Sequence, residues 1–274
     1  HLSASELSTL VAQGDIGPNA FTSNTGVYDL EAVDGSGISG EATFIERVSG
    51  EVLVILSLEN TPQGGDHPAH IHTGSVASGG GIAISLNNVN GDNGFSLTEI
   101  SEFDDGTPVT FADLNAFEGH VKVHLSADDL AAVVAAGDIG GNELTGEMKE
   151  YVLMEAAVDG ISGMVTFKER RSGTTLVEIA LENTPQGGSH PAHIHANSFA
   201  EGGGVVIPLS SVNGDTGISL TDVSEDNSQN PVSYDDLLSF DGHINVHLSA
   251  EDLSTIVARG DIGQNELTGT EQQY

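Results

Sequence analysis

Short runs of alternating apolar and polar residues, closed by glycine, asparagine or aspartate, recur along the chain and predict strands. Residues 37–48 set Ala42, Phe44 and Val48 in loose alternation, and residues 51–60 form the next strand. The turn at 49–51 joins them as a hairpin. Pro62 and the Gly64-Gly65 pair break the chain before the segment HPAHIH at 67–72. Residues 78–86 read as a glycine-led strand, residues 89–94 carry an Asn-Gly turn signal, and residues 95–100 form another strand. Residues 108–117 hold one short helical turn. Residues 120–125 alternate cleanly, so His120, Lys122 and His124 share one face and Val121, Val123 and Leu125 the other. Residues 126–140, SADDLAAVVAAGDIG, are the main predicted helix. Ser126 stands three residues before Asp129 as in a capping box, and Gly137 lies where a C-terminal cap glycine belongs. Ser249 with Asp252, and Ser3 with Glu6, repeat that spacing. Short strands, frequent turns and one small helix per repeat predict an all-β fold of antiparallel Greek-key β-sandwich domains.

That pattern occurs more than once. Residues 29–151 and 152–274 align end to end without a gap, a period of 123 residues. LENTPQGGDHPAHIH (58–72) differs from LENTPQGGSHPAHIH (181–195) only at Asp66 against Ser189. Residues 1–28 match 124–151 and 247–274. The expected organisation is a closing segment of a preceding repeat (1–28) followed by two full domains (29–151 and 152–274). A chain that starts within a repeat is expected to be a piece or processed product of a longer array.

Composition narrows the function classes. With 41 acidic and 7 basic side chains the net charge is −34, which leaves no basic footprint for nucleic acid and disfavours an anionic membrane surface. Such a charge suits a saline, calcium-rich or crowded setting. The 38% of hydrophobic residues, set in alternating runs, argue for a packed fold over disorder. Cysteine is absent, which excludes disulfides and thiolate metal sites. Tryptophan is absent too, and aromatics at 5% make stacked sugar-binding platforms unexpected. No apolar run approaches the roughly 20 residues of a membrane span. No G-x-S-x-G elbow supports a hydrolase.

All 11 histidines fall in register with the repeat. His67, His70, His72, His120 and His124 match His190, His193, His195, His243 and His247, and His124 also matches His1. On a strand, His70 and His72 project from one face, as do His120 and His124. Two adjacent strands so equipped bring three or four imidazoles to metal-binding distance. Imidazole suits copper, zinc and nickel, and an all-nitrogen site with an open position suits copper or zinc best. The competing expectation is that these rings hydrogen-bond loop backbone at a sheet end. His67 and His190, each before a proline, are expected to fix loops around the site. His1 lacks the rest of its domain and is expected to be an orphan. The acidic turns Asn90-Gly91-Asp92, Asp104-Asp105 and Asn213-Gly214-Asp215 could take calcium, but they do not match an EF-hand loop and read better as solvated turns.

The combination of AHIHTGS and GGGIAISL with GHVKVHLSADDL and GDIGGNELTGE resembles the CHRD domain, first named in chordin and widespread in bacterial secreted proteins. The likeness covers essentially all of each repeat and ends on Asn142-Glu143-Leu144-Thr145-Gly146. It implies a secreted or surface protein. The same residues resemble copper/zinc superoxide dismutase, in which an HxH strand and a later VH strand supply copper ligands. That likeness points to His70, His72 and His124, and to His193, His195 and His247. The chain departs from that enzyme in having no histidine between 73 and 119 for a bridging or zinc-loop ligand, and no disulfide cysteines. Asn142 and Asn265 stand where the enzyme has its anion-guiding arginine.

Together these features predict an extracellular or cell-surface tandem-repeat protein with a structural, adhesive or fibre-forming role, whose partners are neighbouring copies of itself. The alternative is a metal array in which each repeat holds one copper or zinc ion through those three histidines, with His120 and His243 as fourth ligands, for storage, scavenging or weak superoxide chemistry.

Overall fold

A computed structural model describes residues 11–266. His1 and the Ser3–Glu6 pair lie outside the described residues. The chain divides into two compact units, with the break after Glu143.

Unit 1 comprises β1 (Phe21–Ala32), β2 (Ser39–Arg47), β3 (Val52–Glu59), β4 (Asp66–Thr73), β5 (Ile82–Asn90), β6 (Phe95–Ile100), α1 (Phe111–Ala116), β7 (Glu118–Ser126) and β8 (Asp129–Gly140). Its strands form a closed antiparallel barrel in the order β1-β2-β3-β6-β5-β4-β7-β8. The run β4, β5, β6 folds back so that β6 lies beside β3, a Greek-key arrangement. Unit 2 repeats the plan with β9 (Leu144–Glu155), β10 (Ser162–Arg170), β11 (Thr175–Glu182), β12 (Ser189–Ala196), β13 (Val205–Asn213), β14 (Ile218–Val223), α2 (Tyr234–Leu238), β15 (Asp241–His247) and β16 (Ile256–Gly263). Its eight strands keep the same order, with β13 and β14 at the ends of the sheet. The all-β class and the antiparallel Greek-key plan therefore hold in both units.

Alternation decides what each strand buries. In β2 and β3, Ala42, Phe44, Val54 and Leu56 point inward, and Phe44 packs edge-on against Tyr28 with ring centroids 5.3 Å apart. Phe167 and Tyr151 repeat the pair in unit 2 at 5.3 Å. The short helical turn lies in residues 111–116, where Thr110 Oγ1 accepts from the Asp113 amide and Asp113 accepts from the Thr110 amide, a reciprocal cap.

Two expectations change. First, residues 126–140 are not a helix. Ser126 pairs with Asp129 across a tight turn at 127–128, and residues 129–140 run as strand β8 beside β7. Strand β8 also meets β1 through Glu31–Ala136 and Ala32–Ala135, which closes the barrel. Alanine and glycine are there because the strands crowd together. A Cβ on Gly137 would sit 1.9 Å from the Asp29 carbonyl oxygen, so Gly137 is a packing residue in a strand and caps nothing. In unit 2, Ser249 accepts from the Asp252 amide at 3.2 Å, but the cap closes a turn before β16. Ladder pairing outweighs the modest helix preference of the alanines.

Second, the break between units does not coincide with the repeat frame chosen from the sequence. Tyr28 lies inside β1 and Tyr151 inside β9, so a frame drawn at those residues cuts a strand in each case.

Candidate metal centre

Strands β4 and β7 are neighbours, and their register sets His70 opposite Lys122 and His72 opposite His120. Ala69, Ile71, Val121 and Val123, the alternate residues, fill the barrel core. The histidines consequently stand on the outward face of the barrel wall, beneath the loop that follows β4. Irregularities in pairing fall beside them, between Ile71 and His72 on β4 and between Val123 and His124 on β7. Bulges of this kind re-aim a side chain locally. Unit 2 repeats both, at Ile194/His195 and Val246/His247.

The result is a three-histidine cluster in each unit. In unit 1, one ligand atom each from His70, His72 and His124 lies within 4.8 Å of the others. The ring centroids are 5.8, 5.2 and 6.2 Å apart for the pairs 70–72, 70–124 and 72–124. His193, His195 and His247 give the same cluster in unit 2, with centroid spacings of 5.8, 5.2 and 6.2 Å. Either triad could hold a metal ion. Metal–nitrogen bonds near 2.0–2.1 Å put ligand nitrogens about 3.3–3.6 Å apart in tetrahedral or trigonal geometry, so an ion would draw the three rings closer together.

Two backbone carbonyls fix the tautomers. His72 Nδ1 donates to the Gly80 carbonyl at 3.1 Å, and His195 Nδ1 to Gly203 at 3.0 Å. Each ring's bare Nε2 is buried without a hydrogen-bond partner. Nδ1 of His70, Nδ1 of His193 and Nδ1 of His247 are buried and unpartnered as well, and neither nitrogen of His124 makes a hydrogen bond of ordinary geometry. Buried polar atoms left unpaired cost roughly 1–3 kcal/mol each. Neutral imidazole nitrogens orphaned together are the donor set a transition metal requires.

The electrostatics keep these rings neutral. Burial pushes His72 down to about 4, reinforced by the neighbouring His120, Lys122 and His70 and opposed by the Gly80 carbonyl. Burial and then His70 lower His124, while the Leu130 carbonyl works against the drop. Burial lowers His70 against the opposing charge of Asp104. His193, His195 and His247 are lowered by burial in the same way. His70, and His193 with His195, keep partial exposure, which leaves each site a side open to solvent.

The expected fourth ligands do not join the clusters. His120 stacks on His72 at 5.1 Å and 19°, and its Nδ1 donates to the Gly74 carbonyl at 2.9 Å. His243 stacks on His195 at 5.0 Å, donates from Nδ1 to Asn197 at 2.7 Å, and has Nε2 3.3 Å from Asn245 Nδ2. These rings wall the site and orient their neighbours. His67 is a positioning residue too, its Nδ1 lying 3.2 Å from the His124 carbonyl, and His190 reaches the Leu248 carbonyl at 2.9 Å. The glycine carbonyls were missed in the sequence, although GGG at 79–81 and 202–204 marks the loops that supply them.

The acidic turns spend their oxygens locally. Asp92 accepts from the Gly64 amide, Asp104 from Ser85, Asp105 from the Thr107 amide and Asp215 from the Gly187 amide. Among the described residues, no helix is long and apolar enough to cross a membrane. Compared with known proteins, the chain matches no protein-family model, and no curated protein aligns with it significantly.

Proposed function

We propose that the protein is a tandem metal-binding array in which each unit holds one copper or zinc ion, through His70, His72 and His124 in unit 1 and His193, His195 and His247 in unit 2. One observation carries this reading: in both units three imidazoles each set a ring nitrogen within 4.8 Å of the others, and each of the three rings has a buried nitrogen with no hydrogen-bond partner. Three neutral nitrogens with an open position suit copper or zinc. The net charge of −34 favours cation capture in general. The likeness to copper/zinc superoxide dismutase concerns the same six histidines, and storage, scavenging or weak superoxide chemistry are the uses it suggests. Metal analysis of protein purified without metal-affinity steps and reconstituted should find two ions per chain. His72→Ala and His195→Ala should each remove one. Unchanged metal content in either variant overturns the assignment.

The repetition favours a second, compatible reading. Two units with the same elements in the same order suit an extracellular structural or adhesive array, as the CHRD likeness implies, with the metal acting as a staple in each unit. Only monomers in light scattering at high concentration would count against fibre formation.

A further inference from the structure

The two clusters share three histidines but not their wall. In unit 1 the residue between His120 and His124 is Lys122, set opposite His70 in the β4–β7 register. In unit 2 that place is taken by Asn245, opposite His193 in the β12–β15 register. No ion pair to Lys122 forms among the described residues. Its charge is felt by the triad, since it helps to lower both His72 and His124. An opposing charge comes from Asp104, tied to Ser85 by its amide at 3.0 Å and its hydroxyl at 2.8 Å, and it acts on His70. Unit 2 has Asn227 in place of Asp104.

Asn245 presents a different demand. It is 7% exposed, its Nδ2 is spent on His243 Nε2 at 3.3 Å, and its Oδ1 is buried with no hydrogen-bond partner. In the neutral His243 ring Nδ1 donates to Asn197, so Nε2 accepts, and this sets the amide with Nδ2 toward the ring. An orphaned acceptor beside three orphaned metal-ligand nitrogens calls for a ligand that brings a hydrogen. A lysine on the same strand face as the histidines, with no ion pair among the described residues, calls for one that brings negative charge.

We infer that the position left open by the three imidazoles takes different ligands in the two units: a small monovalent anion beside Lys122 in unit 1, and a neutral hydrogen-bond donor such as water beside Asn245 in unit 2. This rests on the metal reading above. The chain would then pair an anion-accepting site with a hydrated one of the same donor set.

The full-length chain loaded with copper(II) tests it, with azide as the probe and the azide-to-copper charge-transfer absorption as the readout. His195→Ala confines copper to unit 1 and His72→Ala confines it to unit 2. Azide should bind the first at least about tenfold more tightly, equivalent to roughly 1.4 kcal/mol. Lys122→Asn should abolish the difference and Asn245→Lys should confer tight azide binding on unit 2. Each exchange installs the residue that the other unit already carries in the same register, and thermal melts check that both variants fold. Equal azide affinity in the two units, or tight binding that survives Lys122→Asn, overturns the inference while leaving the metal reading intact. Copper below two per wild-type chain before azide is added marks failure of the metal reading, and the inference falls with it.

Discussion

Units 1 and 2 agree where side chains point into the barrel and at the histidines of the outer wall, and diverge on the rest of the outward face, Lys122 against Asn245 included. One row across four strands shows it. In unit 1, Asp29, Glu41, Ser57 and Phe95 are cross-strand neighbours on β1, β2, β3 and β6. The matching row in unit 2 is Val152, Met164, Ala180 and Ile218 on β9, β10, β11 and β14. Three polar positions of the row are apolar in unit 2, with Val152 62% exposed, while the strands on which it sits keep their register. Solvent-facing positions of an antiparallel sheet are thus nearly free, and the period of two and the core are not. The histidines also stand on the outward side, yet all five recur in both units, and most of them are buried there.

The comparison is broken most severely from inside. Each unit has its own core. Phe167→Ala should destabilise unit 2 by about 3–5 kcal/mol, and Phe44→Ala should do the same to unit 1. Calorimetry should show the affected transition falling while the other stays in place. A single transition moved equally by both changes would show that the units melt as one.

The next effect concerns a buried cation that both units retain. Arg170 is 1% exposed and pairs with Asp222 at 2.7 Å; Arg47 pairs with Glu99 and Asp15. Asp222→Ala leaves the guanidinium less compensated and should cost about 3 kcal/mol in denaturant unfolding. Asp222→Glu, which copies unit 1, should recover most of that loss.

A smaller effect is set by pH. His72 is held near 4 in the folded protein against an ordinary value of 6.5, so between those values the unfolded chain binds more protons. The stability of metal-free protein should hold above pH 6.5 and fall as pH drops toward 4. His193, His195 and His247, lowered in the same direction, should give unit 2 the same trend. Denaturant midpoints of chelator-treated protein across that range check it, and a flat profile would mean the rings are not held neutral. The smallest effect belongs to the divergent row. Val152→Asp with Met164→Glu copies unit 1 and should shift unfolding by no more than about 0.5 kcal/mol.

Much of this was legible without coordinates. Alternation fixed the strands that carry Phe44, Val54 and Val121, and the i, i+2 spacing of His70 and His72 put them on one face. The triads His70–His72–His124 and His193–His195–His247 are what the likeness to a known copper site implies, whereas spacing alone left His120 and His243 among the candidates. The segment 126–140 misled because a serine–aspartate cap and a run of alanines are local signals. Whether alanine lies in a helix or between two crowded strands depends on what lies beside it.

The sequence alone determined the repeat, the strand period and the set of candidate histidines, because these are properties of residue order and of alternation along a strand. Tertiary structure decided that residues 129–140 close the barrel, that His120 and His243 stack instead of joining the clusters, and that Gly80 and Gly203 carbonyls leave Nε2 bare. Those outcomes depend on which segments meet across a sheet and which backbone oxygens a loop delivers, and neither is encoded in spacing.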